Sequence, residues 1–566
     1  MLDSQQIHQL LHPGGTSYDP DKQLMRIPDG RHDLCYSARY ASYVIALKQE
    51  AYYGRACAIL DRMLSLQNTN EASPLCGLWA CFLEEDLEKL PYPDFNVADF
   101  IAKTFLDILY RNPAVLSPSL REAVILGLRR AIECSIRRNI APDYTNISII
   151  SAMVIVSAGE LLEDERLFAI GKQRLKKLYD YTCYCTGFSE YNSHDYSLLD
   201  IEETTRMLDF FRDPECRAMA QALNFYAWDM LTSHFNLSLG QLSPPQSRGS
   251  YDLERGRIQA LLYLGTGGKY GKIESLQAVA PPWLIVNLRC PESCMTKLAQ
   301  PDCWLDHRFY RTNNLISAEE ETAIITNRHF PDLYARTFQT PDYSIGSFSF
   351  CDFWKQRRNC MAVWGKENPC WLRPRCLMDG KDFCSAVCIA DQQKNLILGQ
   401  VGFVTDRGWN HYLIDTSKTG PYAVSSLCFR FELGGSPDTV TVTREGNRFL
   451  YTREDFSLAI TLWNWVFDGK PGEIFFDEAT KAVELRCFAD SPRFFLPSEL
   501  GKTYGVFTIQ VQPEAQHAPQ ITEAEGILTS VLSTLRVTGF TQPVSYDQAA
   551  NIAALAAKKQ EKETLL

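Results

Sequence analysis

The pattern of apolar residues changes once along this chain, and that change limits the folds the chain can adopt. Over roughly the first 275 of its 566 residues, apolar side chains recur at helical spacing, for example on one face of 96–110. From about residue 309, β-branched and aromatic residues alternate between turn signals, as in 422–431 and 505–511. The sequence therefore predicts a helical N-terminal half followed by a large antiparallel β region.

Clear start signals divide the first half into helices. Ser117-Pro118, Asp164-Glu165 and Asp213-Pro214 each place a capping residue before a residue favoured in the first helical turn. The connections are short, so consecutive helices should be antiparallel neighbours. A long series of such hairpins must curve or close to bury every apolar face, which leaves an (α/α) toroid and an α-solenoid as candidate folds.

Turn-forming glycines and prolines set the predicted domain boundaries. Glycines at 265–271 and prolines at 281–282 and 291 separate the two patterns. We predict a helical domain at 1–275, a linker at 276–308 and an antiparallel β-sandwich domain at 309–545. The remaining residues, 546–566, are predicted to form a peripheral C-terminal helix that frays.

Charge and N-terminal composition restrict the partners. The net charge of −11 argues against non-specific binding to nucleic acid or acidic membranes, although a local basic cleft can still bind an acidic sugar. The N-terminus has neither a basic nor an apolar signal region, and no apolar run approaches the roughly 18 residues of a membrane helix. We therefore expect a cytoplasmic protein with no membrane partner, and homo-oligomerisation stays open.

The 19 cysteines fit a reducing compartment better than a disulfide scaffold. The tightest group after Cys183 and Cys185 is Cys290, Cys294 and Cys303, whose spacing matches no standard zinc knuckle. We predict buried thiols there and no required cofactor, and a structural divalent metal stays open.

The segment Gly187–Tyr196 is the strongest functional signal. It contains two tyrosines, an asparagine, a histidine and a glutamate between two predicted helices. These residue types suit removal of a proton next to a carboxylate, followed by loss of a leaving oxygen. In a uronic acid this requires a group that neutralises the carboxylate, a base near C5 and an acid at O4. Amide, histidine or arginine side chains suit the first task, and tyrosine or histidine suits the others.

Two further polar positions flank this segment at similar distances. Asn146 precedes His194 by 48 residues, and Arg248 follows Tyr196 by 52 residues. Each interval equals about two helices with their turns. In a ring of helical hairpins, such intervals place the three segments at equivalent ends of successive hairpins, where they can converge on one rim.

An asparagine on one hairpin, a histidine and a tyrosine on the next and an arginine on a later one resembles the (α/α) toroid polysaccharide lyases. This group includes the chondroitin/hyaluronate lyases and the heparinase II/III and alginate lyase families. The segment Gly187-Phe188-Ser189-Glu190 with Tyr196 resembles the Gly-Phe-x-Glu…Tyr segment of the heparinase II/III-like branch. The order of helices before a β-sandwich also matches and covers most of the chain. The resemblance implies an incomplete toroid and a lyase that cleaves uronate-containing glycans by β-elimination.

By the same resemblance, Asn146 would neutralise the substrate carboxylate and Tyr196 would be the general acid, and also a candidate base. His194 would be base or neutralising group, with Arg248 beside them. The family tyrosine is normally accompanied by a histidine from the β domain, for which His411 and His329 are the candidates here.

Several neighbouring residues compete for these roles. Asn192 is an alternative to Asn146, Tyr191 is an alternative to Tyr196, and Glu190 is a candidate for orienting His194 or Arg248. Outside the segment, we consider Trp79 for stacking on a sugar ring and Arg357 for binding an acidic sugar, with a structural pairing of Arg357 as the alternative.

Two other functions are compatible with these residues. The first is a glycoside hydrolase, for which Glu84 or Glu85 with Asp94 forms a candidate carboxylate pair, or a uronyl epimerase on the same scaffold. The second is a non-catalytic carbohydrate-binding protein, in which Asn146, His194 and Tyr196 would not converge.

Overall fold

The structure is a computed structural model that describes residues 4–299, 303–310, 332–410, 420–489, 491–514 and 517–554. Its first half is helical and its second half consists of antiparallel sheets. The helices are α1 (Ser4–Leu11), α2 (Leu34–Ala46), α3 (Tyr53–Leu66), α4 (Asn96–Arg111), α5 (Pro118–Arg138), α6 (Thr145–Leu161), α7 (Glu165–Cys185), α8 (Tyr196–Phe210), α9 (Pro214–His234), α10 (Arg257–Gly265) and α11 (Glu292–Leu298).

The predicted helix starts are confirmed by their capping contacts. The side chains of Ser117, Asp164 and Asp213 each accept a hydrogen bond from a backbone N–H in the first turn of the following helix. Pro118 and Pro214 occupy the first turns of α5 and α9, where the missing N–H has no helical partner to lose.

The helices form two layers of hairpins. Consecutive helices pack in pairs, α2 with α3, α4 with α5, α6 with α7 and α8 with α9. The first members of these pairs also pack on one another, in the order α2, α4, α6, α8. Nearly every residue of α6 is buried, as expected for a helix that is apolar on all sides and lies in the inner layer. This arrangement is the toroid-type curvature predicted for the hairpin series.

The strands after α11 belong mainly to two large sheets. They are β5 (Cys303–Tyr310), β6 (Asp332–Gln339), β7 (Tyr343–Phe348), β8 (Phe350–Asp352), β9 (Cys360–Trp364), β10 (Cys370–Met378), β11 (Lys381–Asp382), β12 (Ala386–Gln393), β13 (Leu396–Phe403), β14 (Tyr422–Val424), β15 (Leu427–Gly435), β16 (Thr441–Glu445), β17 (Arg448–Arg453), β18 (Phe456–Phe467), β19 (Lys470–Pro471), β20 (Glu473–Asp477), β21 (Ala482–Phe488), β22 (Arg493–Phe495), β23 (Tyr504–Val511), β24 (Gln520–Ala524), β25 (Ile527–Leu532) and β26 (Leu535–Phe540). The helical half contains four strands of two or three residues, which are β1 (Ser17–Asp19), β2 (Leu24–Arg26), β3 (Phe235–Asn236) and β4 (Gln241–Leu242).

The two large sheets face each other across an apolar core. One has the order β20-β21-β15-β10-β9-β7-β6-β5, and the other has the order β16-β17-β18-β23-β13-β12-β8. Phe429 and Leu485 from the first sheet share one buried cluster with Ile460 and Phe507 from the second. Apolar side chains from both inner faces therefore form the core of an antiparallel sandwich, as predicted.

The ends of the β region differ from the prediction in two places. Strand β5 begins at Cys303, before the predicted start of the sandwich at 309. Residues 546–554 are helical, but they are not peripheral, because Tyr546, Ala549 and Ala550 are buried against the sheets. Among the helices of the described ranges, none combines the length and the apolar character that a membrane crossing requires.

Candidate active site

The loop between α7 and α8 is held in place by its own polar side chains. Ser193 Oγ accepts hydrogen bonds from the backbone N–H groups of Asp195 (3.3 Å) and Tyr196 (3.1 Å), which fixes the turn that leads into α8. Asn192 adopts a left-handed conformation (φ 55°), which asparagine tolerates better than most residues. Its amide donates to the carbonyl oxygens of Ser243 (2.7 Å) and Pro245 (2.8 Å).

Glu190 is the centre of the site's hydrogen bonds. Its carboxylate accepts from the backbone N–H of Asn146 (2.8 Å) and from Asn146 Nδ2 (2.7 and 2.8 Å). It also forms an ion pair with Arg248 Nη1 (2.5 Å), in which only 5% of the Glu190 side chain is exposed. The predicted convergence of Asn146 and Arg248 is therefore confirmed, and Glu190 joins them.

Arg248 connects this carboxylate to Tyr196. Its Nη2 donates to the Tyr196 hydroxyl (3.3 Å), and its Nε donates to Gln356 Oε1 (3.1 Å). The guanidinium also lies over the Tyr196 ring, 4.5 Å from its centroid. Burial lowers the pKa of Arg248, but Glu190 together with Tyr196 and Tyr144 outweighs burial and leaves the pKa above its ordinary value. Arg248 thus carries a permanent positive charge beside the tyrosine hydroxyl.

Tyr196 is the member of this group that reaches a large cleft. Burial raises the pKa of its hydroxyl, and the neighbouring charge of Arg248 offsets part of that rise. The hydroxyl is therefore protonated at neutral pH and is able to act as a proton donor.

The cleft has a volume of about 940 Å³, near the upper end of the roughly 300–1,000 Å³ of small-molecule sites. Its lining is rich in aromatic and charged side chains contributed by α2, α4, α8 and the segment 276–283. The aromatic and charged side chains of the lining include Tyr36, Arg39, Tyr40, Tyr43, Lys103, Asp195, Tyr196, Glu202, Tyr251, Arg257 and Trp283.

A buried ion network lies beside the cleft. Lys103 forms an ion pair with Glu203, and Arg206 bonds both Glu203 (2.6 Å) and Asp107 (3.1 Å). Burial raises the pKa of Glu202 to about 7, whereas the charges of Arg206 and Lys103 outweigh burial at Glu203 and hold its pKa low. Sequence reasoning missed this network because α4 and α8 are about a hundred residues apart.

The β domain fixes the segment that carries Arg248. The backbone of Gln246 exchanges two hydrogen bonds with Arg358 (3.2 and 2.9 Å). Arg357 Nη1 donates to the carbonyl oxygen of Ser247, and its Nε pairs with the buried carboxylate of Asp352 (3.2 Å). Arg357 is only 7% exposed, and both of these contacts are structural. The structure therefore supports the structural pairing of Arg357 and not the predicted contact with an acidic sugar.

Three other predicted site residues lie away from the cleft lining. His194 is 4% exposed, and burial lowers the pKa of His194 to about 3. A buried imidazole away from the cleft does not suit the predicted role of base or neutralising group. Asn192 is 1% exposed and anchors the loop, as described above, instead of facing a substrate. Tyr191 is fully buried, and its hydroxyl lies 2.7 Å from His234 Nε2.

The prediction for Trp79 was wrong. Its ring is 1% exposed, its Nε1 donates to the carbonyl oxygen of Met63 (2.7 Å), and it packs edge-on against Phe105. It is a core residue of the helical domain and cannot stack on a sugar ring. His329 and His411 both lie outside the described residues.

The carboxylates considered for hydrolysis have structural partners. Glu84 pairs with the His32 ring (2.6 Å), and Glu85 accepts from the backbone N–H groups of Cys81 and Phe82 (both 3.2 Å). Within the described ranges, no group of three histidine, cysteine, aspartate or glutamate side chains is arranged to hold a metal ion. Cys290 and Cys294 are buried free thiols there.

One family model and several solved structures are similar to this chain. A family model described as a domain of unknown function (DUF8769) matches residues 7–283. A crystal structure of heparinase III is similar with a TM-score of 0.45 and 9% identity, covering 96% of this chain and 91% of that chain. A heparan sulfate lyase from Pedobacter heparinus is similar with a TM-score of 0.30 and 10% identity, covering 96% and 90%. No curated protein sequence matches this chain.

Proposed function

We propose that this protein is a lyase that cleaves a uronate-containing saccharide by β-elimination. The observation that carries the proposal is the contact between the Arg248 guanidinium and the Tyr196 hydroxyl at the edge of the cleft. A fixed positive charge beside a proton donor is what the elimination requires, because negative charge develops on the uronate carboxylate as the C5 proton leaves.

In this proposal the bond changes are confined to the substrate and two protein groups. A base takes the C5 proton, the C5 electron pair forms the C4–C5 double bond, and the C4–O4 bond breaks. The Tyr196 hydroxyl gives its proton to O4, which suits a group whose raised pKa keeps it protonated. Arg248 neutralises the carboxylate and also stabilises the tyrosinate that remains.

The contacts of Glu190 support a different role for Asn146 and favour orientation of Arg248 among the roles predicted for Glu190. Both oxygens of Glu190 accept from Asn146, and one accepts from Arg248. We therefore assign Asn146 and Glu190 as positioning residues that hold the guanidinium against Tyr196. This differs from the predicted role of Asn146 as the group that contacts the substrate carboxylate.

The base stays a proposal from the sequence. The candidates are His411 and His329, which both lie outside the described residues, and His411 is the first to test as the base.

The test is an assay with a panel of uronate polysaccharides and their oligomers. A lyase forms an unsaturated uronate that absorbs in the far ultraviolet, and one new reducing end appears for each double bond. A hydrolase would release reducing ends without new absorbance, and an epimerase would exchange the C5 proton with solvent deuterium without cleavage. Either of those two outcomes, or no reaction with any member of the panel, would overturn the proposal.

A further inference from the structure

The cleft lining contains an arginine, Arg39, that belongs to a different helix from Tyr196. Arg39 lies on α2, whereas Tyr196 begins α8, and α4 and α6 separate these two helices in the inner layer. Both residues line the same cleft. A molecule that fills the cleft would therefore contact both Arg39 and Tyr196.

Arg39 differs from the other cations of the cleft in its partners. Its Nε donates to the carbonyl oxygen of Cys35, one turn earlier in its own helix (3.3 Å). In the part of the chain that the structure describes, Arg39 has no ion pair with a carboxylate. By contrast, Arg257 pairs with Asp195 (3.3 Å), and Lys103 pairs with Glu203. The Arg39 guanidinium therefore keeps donors available to an anion in the cleft.

Aromatic side chains line the cleft together with Arg39. Tyr36, Tyr40 and Tyr43 follow the same face of α2 as Arg39, at helical spacing, and all four line the cleft. The Trp283 indole belongs to the same lining, and its buried Nε1 has no hydrogen-bond partner among the described residues. Buried indole N–H groups usually have a partner, so this donor is a second, independent indication of a ligand.

We propose that Arg39 binds a second anionic group of the saccharide, a carboxylate or a sulfo group on a sugar residue adjacent to the one cleaved at Tyr196. The planar guanidinium matches either oxyanion by paired hydrogen bonds. Arg39 is then a specificity residue, and the preferred substrate is a saccharide with anionic groups on neighbouring residues. This inference rests on the proposed function, because it takes the saccharide to be the occupant of the cleft.

The test compares tetrasaccharides in which glucuronate alternates with a hexosamine that is either N-acetylated or N-sulfated, together with a tetrauronate. The wild-type protein should favour the N-sulfated compound or the tetrauronate over the neutral-neighbour compound, and whichever it favours identifies sulfate or carboxylate as the bound group. In Arg39→Gln, the preference in kcat/KM should fall about tenfold or more, as expected for a lost hydrogen bond to a charged group, because kcat/KM on the preferred compound falls more than kcat/KM on the N-acetylated compound.

The control is Arg121→Gln, which removes an exposed arginine of α5 and should keep the wild-type preference. Arg39→Lys keeps the charge without the planar fork and should give an intermediate preference, which tests the idea even if Arg39→Gln folds poorly. Retention of the full preference in a folded Arg39→Gln protein, or an equal loss on all three compounds, would overturn the inference.

The same variants separate this inference from the proposed function. If no tetrasaccharide is cleaved, calorimetric binding of the N-sulfated compound and the tetrauronate to wild type and Arg39→Gln still decides the inference. Weaker binding of either compound to Arg39→Gln alone would then support the anion site while the lyase proposal fails. Equal binding, or no binding of either compound, would contradict the anion site as well.

Discussion

The Nη2 atom of Arg248 lies 3.3 Å from the hydroxyl oxygen of Tyr196 and donates to it. This contact joins residues 52 positions apart and sets a permanent charge against a protonated phenol at the cleft. The position of Arg248 in this contact depends on the carboxylate of Glu190 and on the contacts of the β domain.

Replacing Glu190 with glutamine should destabilise the protein by about 3 kcal/mol, because the change leaves the mostly buried Arg248 cation without its counter-charge. It should also lower the rate of the proposed elimination, since the guanidinium loses its orientation toward Tyr196. Urea unfolding measures the first effect. Glu122→Gln, an exposed change on α5, should stay within about 0.5 kcal/mol of wild type, and an equal loss in both variants would contradict the role of Glu190.

Asp352→Asn should weaken the contact between the two domains. The buried Asp352 carboxylate binds Arg357 and Arg407, and removing its charge should cost about 3 kcal/mol at neutral pH. Burial raises the pKa of Asp352, but the two arginines outweigh burial and hold the pKa below its ordinary value of 3.8. The carboxylate's stabilisation is therefore present above pH 3.8 and is lost as the pH falls through the lowered pKa.

Unfolding measured across the acid range checks this prediction. Wild type should lose stability below about pH 4 more steeply than Asp352→Asn, which has no carboxylate to protonate. Asp342→Asn is the control, because Asp342 is 77% exposed in its ion pair with Lys366 and should contribute less than about 1 kcal/mol. A neutral-pH stability of Asp352→Asn equal to that of the control would count against the interdomain role.

Glu202 should make stability depend on pH near neutrality. Burial raises its pKa from 4.5 to about 7, so the folded protein holds a proton there that the unfolded chain releases. The resulting stability is complete below pH 4.5 and is lost as the pH rises to about 7. The glutamine of Glu202→Gln cannot titrate. Over this pH range the unfolding free energy of the variant should therefore fall by about 1–3 kcal/mol less than that of wild type. Parallel pH profiles for the two proteins would contradict this assignment.

Local sequence signals were sufficient for the helices and for the order of the two halves. Ser117-Pro118, Asp164 and Asp213 mark helix starts because the capping interaction involves only neighbouring residues. The convergence of Asn146 and Tyr196 with Arg248 also followed from regular spacing, since each hairpin returns the chain to the same rim.

Burial was the property that the sequence did not reveal. Trp79, His194 and Asn192 were considered for function because of their chemistry, but tertiary packing places all three among the least exposed residues. The partners of Arg206 were missed for a related reason, since Asp107 is 99 residues away and no local pattern connects them. The absence of a carboxylate partner at Arg39 likewise becomes visible only once the described part of the chain is folded.

The most direct test of the central claim is the initial rate at which wild type and Tyr196→Phe form unsaturated uronate from the best substrate of the panel. We predict that Tyr196→Phe folds normally and loses about 10²–10⁴-fold in kcat, the usual contribution of a general acid. Tyr92→Phe, which removes the hydroxyl of a tyrosine that is 63% exposed, should match wild type. A folded Tyr196→Phe protein with the wild-type rate would contradict the account.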